Sequence, residues 1–88
     1  MTGQGYGVPV RVWDRDGRPA RFVWQGRVHV VRQVLDHWVT VRADFTGDGR
    51  RPERVFWRVR AGAGADLGLY ELRYDSATGV WLLARVAA

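Results

Sequence analysis

Apolar and polar positions alternate with a period of two in several short stretches of this chain, and clusters of Gly, Asp, Pro and Ser separate those stretches. Val8, Val10 and Val12 fall on one side of the first stretch, with Arg11 and Trp13 on the other. Asp14 to Pro19 then reads as a turn, because Asp-Gly supplies a residue with positive φ and Pro19 has no N–H for a ladder. Arg21 to Gln25 is a second strand with Phe22 and Trp24 on one face, closed by a hairpin-sized break at Gln25-Gly26. Further on, Arg54 to Ala61 alternates cleanly: Val55, Trp57, Val59 and Ala61 face one way, Phe56, Arg58 and Arg60 the other. Leu69 to Asp75 sets Tyr70, Leu72 and Tyr74 against Glu71 and Arg73. Ser76 to Gly79 is a turn, and Val80 to Val86 is a last strand, apolar on both faces except for Arg85.

The stretch from Val28 to Trp38 fits two periods. Val30, Val31, Val34, Leu35 and Trp38 make a helical stripe, whereas Val28, Val30, Arg32 and Val34 make a strand face. The high Val content and the short link to the preceding strand favour a strand, bulged near Arg32-Gln33 where the alternation slips. The expected fold is therefore all-β: a six-stranded antiparallel meander over residues 8–88, curled or closed into a small barrel so that its edges are not left open. With residues 28–39 helical instead, the domain becomes α+β. Residues 1–7, with three Gly, read as a flexible tail, residues 43–53 as a loop, and Gly62 to Asp66 as a flexible link.

At 88 residues this is one domain with a thin core, and five Trp, three Tyr and three Phe suit it, since large rings fill a small core efficiently. Trp24, Trp38, Trp57 and Trp81 are expected in that core, while Trp13 is the ring expected at the surface. Without Cys there are no disulfide staples, no thiolate zinc sites and no thiol catalysis. No apolar run is long enough to span a membrane, and the N-terminal residues lack a signal-peptide pattern, so a cytoplasmic location is expected.

The net charge is +5, and all 14 basic residues are Arg. The chain also lacks Lys, Ile and Asn while Arg, Gly, Ala and Val are plentiful, the bias a high-GC genome produces whatever the function. The excess charge permits polyanion binding without requiring it. Arg11, Trp13, Arg21, Phe56, Arg58 and Arg60 fall on faces opposite the apolar ones, and Arg50, Arg51 and Arg54 extend the charge into the loop. Rings that stack bases and guanidinium groups that neutralise phosphates would make this an interface for DNA or RNA. The plainer reading is a solvated face on which Arg stems cover ring edges.

Other chemistry finds little support. His29 and His37 are eight residues apart, too far on a strand or a helix to share one ion, so both read as surface or half-buried histidines and no metal is expected. The two Asp-Gly pairs are explained by turns and lack the ligand run of a calcium loop. Ser76, the only Ser, lies in a turn, and there is no Lys for a Schiff base or a phosphate loop. A non-catalytic module without a cofactor is the expectation, with a small-ligand or catalytic pocket as the weakest alternative. A second binding reading is a protein-interaction domain that uses the same ring-bearing face or an open sheet edge.

Arg18-Pro-Ala-Arg-Phe-Val-Trp-Gln-Gly-Arg27, followed by Val34-Leu35 and Trp38, by Phe56-Trp-Arg-Val59 and Tyr70-Glu-Leu72, and by Gly79-Val-Trp-Leu-Leu-Ala-Arg-Val86, resembles the DUF6504 family over residues 8–87. That is a small actinobacterial domain family of unknown function. The loop 43–53 lacks the paired Trp of some relatives, and Leu82 stands where a polar residue is common. The resemblance implies no catalytic residues. It implies a gene neighbourhood of error-prone Y-family DNA polymerases, and so an accessory role in DNA repair or mutagenesis with a repair protein as partner.

Overall fold

The computed structural model describes residues 4–41 and 52–87. Seven strands form one antiparallel sheet: β1 Gln4–Pro9, β2 Arg11–Arg15, β3 Arg18–Trp24, β4 Arg27–Val41, β5 Glu53–Ala61, β6 Gly68–Asp75 and β7 Val80–Ala87. The order across the sheet is β1-β7-β6-β5-β4-β3-β2. Its two outermost strands, β1 and β2, are consecutive in the chain and separated only by Val10. The sheet must therefore curl until its ends meet, which is the curled all-β architecture expected from the pattern. Val28 to Trp38 lies wholly within β4, so the α+β alternative does not hold. The first alternating stretch is two strands rather than one, because it pairs with β7 up to Pro9 and with β3 from Arg11. β1 begins at Gln4, inside the stretch read as a tail. Most of the expected loop 43–53 lies outside the described residues.

Two-residue turns fix the hairpins. Asp16-Gly17 and Gln25-Gly26 have positive φ at both positions, 54° and 80°, then 52° and 72°. That geometry matches the right-handed twist of the strands it joins. In the second turn it pairs Trp24 with Arg27 and Phe22 with His29. Gly62 is constrained differently. Its φ is +100°, and a Cβ there would meet the Asp66 carbonyl oxygen at 2.4 Å. The segment expected to be a flexible link instead forms a 3-10 turn, Gly64–Asp66, beneath it.

β4 belongs to two walls. Residues 27–30 pair with β3 and residues 31–41 with β5. Register shifts between Val31 and Gln33 and between Val34 and Asp36 bend the strand as it changes partner. The first bulge lies where the alternation slips in the sequence. Each bulge adds one residue, so His29, Val31, Val34 and His37 share the inner face at spacings of two, three and three. Of the residues that fitted a helical stripe, Val31 and Val34 are inward and Val30, Leu35 and Trp38 are not.

Phe22, Val59, Ala61, Leu72 and Leu83 are completely buried, with Trp57 and Tyr70 nearly so. Val10, Val12, Trp24, Val31, Val34, Val55, Trp81 and Val86 pack around them. Phe22 is central: its ring lies 5.1 Å from His29, stacked, and 5.2 Å from Tyr70, edge-on. Burying such a ring contributes about 1.5–3 kcal/mol.

Candidate functional site

On the outer face of β5 two of the expected arginines, Arg58 and Arg54, stand beside acids, and Arg60 does not. Arg58 stands across from Asp36 on one side and from Glu71 on the other, and Glu71 stands across from Arg85. Arg58 Nη2 is 3.9 Å from Glu71 Oε1. Two rows away, toward the start of β5, Arg54 stands between Thr40 and Asp75, with its Nε 3.5 Å from Asp75 Oδ2. Charges alternate across β4–β7 in the Arg58 row, and the acids in these two rows lower the potential that a polyanion would meet there. Arg60 stands between Gln33 and Leu69, beside no acid in its row. Between the charged rows lie Trp38 and Phe56, stacked with centroids 5.3 Å apart, and the Arg58 guanidinium is 5.5 Å from the Trp38 ring. Trp38 is therefore on the outer face and not in the core, because the two bulges of β4 set it opposite Phe56. Arg50 and Arg51 lie outside the described residues.

Arg11, Trp13 and Arg21 come together on a separate wall. Trp13 and Arg21 are ladder partners, and the Cζ atoms of Arg11 and Arg21 lie 5.3 and 4.8 Å from the Trp13 ring. Trp13, expected at the surface, is half-buried under these two groups. Beyond Arg21, the row continues to Val30, and the neighbouring row runs Arg11, Val23, Val28. Val28 is 57% exposed and Val30 43%. This wall carries no acid in those two rows. β4 changes partner between the two patches, so the residues proposed as one groove form two surfaces.

Two of the open clefts among the described residues hold groups that were not anticipated. The first, about 470 Å³, lies against the β3–β4 hairpin and is lined by Trp24, Arg27, His29, Arg32, Asp66 and Tyr70 among others. His29 is only 9% exposed, and its Nε2 has no hydrogen-bond partner among the described residues. The sequence signal was present: a two-residue turn at Gln25-Gly26 forces residue 29 opposite the inward-facing Phe22. Burial, together with the nearby Asp66 carboxylate, raises the Tyr70 pKa above its ordinary 10.0, so the phenol keeps its proton. Arg27 reaches Asp66 at 3.7 Å, an exposed pair of little energetic weight, and Arg32 Nε donates to the Gly62 carbonyl at 2.9 Å.

The second cleft, about 390 Å³, opens where the chain leaves β7 at Val10 and continues as β2. Val10 N–H still donates to the Trp81 carbonyl at 3.0 Å, but β7 begins at Val80, so β2 continues without a strand on that side. Inner-face rings of β5–β7 line the gap, and Asp14 and Gly17 border it. No group of three or more His, Asp or Glu stands ready to hold a metal among the described residues. No helix there is long and apolar enough to cross a membrane.

Fold and surface together define a small curled β domain with open, ring-lined clefts and a ring-and-arginine wall. The chain belongs to the DUF6504 family, described as a domain of unknown function, whose family model matches residues 7–88. Comparison with the curated proteins and with the solved structures finds no match.

Proposed function

We propose that this domain is a non-catalytic binding module that docks onto a partner protein through the β2–β3–β4 wall. The observation that carries the reading is the composition of that wall. Trp13 is clamped by Arg11 and Arg21 beside the exposed Val28 and Val30, with no acid in the two rows. Trp and Arg next to apolar surface, with acids depleted, is the make-up of interface centres. The complementary partner surface is apolar with a carboxylate rim. A Y-family repair polymerase, the neighbour implied by the resemblance, is the first partner to test.

Nucleic-acid binding is the second reading, favoured by the same two guanidinium groups, which have no carboxylate partner among the described residues. Against it, those groups already occupy the Trp13 ring that a base would stack on, and the β5 arginines face acids. Calorimetric titration with the purified polymerase decides between them. Docking should persist at high salt and fall at least tenfold in Val30→Glu, a change at an exposed position. If oligonucleotides bind instead, with an affinity that drops steeply with salt and is lost in Arg11→Ala with Arg21→Ala, the docking reading fails.

A further inference from the structure

We infer that the cleft between β2 and the inner face of β5–β7 binds a quaternary or multiply N-methylated ammonium group. Asp14, Gly17, Val55, Trp57, Tyr74 and Trp81 line it. Three of these six are large rings, and one is a carboxylate. Tyr74 and Trp81 meet at a corner, centroids 5.1 Å apart and planes inclined by 50°, so their faces look in different directions. Trp57 supplies the third ring. It is braced from elsewhere by His37, stacked at 4.8 Å and 15°, which fixes its plane.

The charge pattern selects the ligand. Among 88 residues with 14 Arg, this cleft has no cation in its lining. Its one charged group is Asp14, which has no ion pair or hydrogen bond to its carboxylate among the described residues. Ring faces present the negative lobe of their quadrupole and attract cations, most strongly when the cation is weakly hydrated. An N-methylated ammonium fits that condition better than a primary ammonium, which holds its water tightly. A volume of about 390 Å³ accommodates such a head group and the first atoms of whatever carries it. The opening between β2 and β7 gives an approach that needs no strand to separate. The site is distinct from the β2–β3–β4 wall, and it stands whether or not that wall docks a protein.

The test is an NMR titration of the full chain, read at the Trp indole N–H signals, with three probes. These are tetramethylammonium, a trimethyl-lysine peptide, and neopentyl alcohol as a water-soluble neutral analogue of similar bulk. Both cations should shift Trp57 and Trp81 while leaving Trp38 in place, and the neutral probe should bind about five- to tenfold more weakly. A peptide that binds much more tightly than the free cation identifies a methylated side chain as the source; equal binding identifies a small solute. Asp14→Asn, at an exposed position, should weaken the cations about fivefold without changing the neutral probe. Tyr74→Leu should abolish the shifts. Equal binding of the neutral and cationic probes, or no shift at Trp57 and Trp81 at saturating cation, overturns the assignment.

Discussion

Trp38 and Phe56 are direct ladder partners on the outer face of β4 and β5, with ring planes 5° from parallel. Their contact is a cross-strand pair with Arg58 leaning on it, outside the core. Such pairs contribute about 0.5–1.5 kcal/mol beyond area. Phe56→Ala should therefore lower stability by only about 1–2 kcal/mol in urea unfolding, leaving a folded chain.

Phe22→Ala is the opposite case. It removes a completely buried ring that touches both His29 and Tyr70. The expected loss is about 3–5 kcal/mol, a large share of the stability of a domain this small. Far-UV circular dichroism with urea should find the variant largely unfolded or with a strongly reduced midpoint.

Gly62 and Gly17 both have positive φ, yet they should respond differently to alanine. At Gly17 a Cβ meets nothing within 4 Å, so Gly17→Ala should cost only the left-handed conformation, about 1–2 kcal/mol. At Gly62 the Cβ would also collide with the Asp66 carbonyl, so Gly62→Ala should cost clearly more and displace the 64–66 turn. Thermal unfolding of the two variants side by side checks the order.

The Tyr70 phenol sets an alkaline limit. Its folded pKa is raised by burial and then by Asp66, so the folded chain holds this proton at a pH where the unfolded chain releases it. The contribution is complete below the unfolded pKa of 10.0 and is lost as pH rises through the folded value. Stability should thus fall as pH rises from 10.0 toward the folded value, and Tyr70→Phe should remove part of the fall. Absorbance of the phenolate during alkaline titration should show one tyrosine ionising late, and Asp66→Asn should bring it earlier.

The acids beside Arg54 and Arg58 predict that Arg54→Ala and Arg58→Ala leave any oligonucleotide affinity nearly unchanged. Arg11→Ala and Arg21→Ala should lower any salt-dependent binding more than that pair does. Fluorescence anisotropy at two salt concentrations distinguishes the two pairs of variants.

What the sequence by itself determined was local. The period-two faces of β5 and β6, the Asp-Gly and Gln-Gly turns, the strand nature of β4 and its first bulge follow from neighbouring residues, because side-chain alternation and turn geometry act over a few positions. The candidate site was only half legible. Arg11, Trp13 and Arg21 were recognised as outward, and so were Phe56, Arg58 and Arg60, whereas Arg54, read as part of the loop, is a ladder residue of β5. Which acids face those arginines depends on register between strands far apart in the chain, and only the tertiary structure decided that. It also decided that Trp38 faces outward, since bulges at two places reset which side of β4 is inside. The clefts belong to the same class: they exist because one stretch, 4–15, leaves β7 at Val10 to join β3, and because the β3–β4 hairpin folds over Tyr70. Closure of a curled sheet is a property of all its strands at once, and no single stretch encodes it.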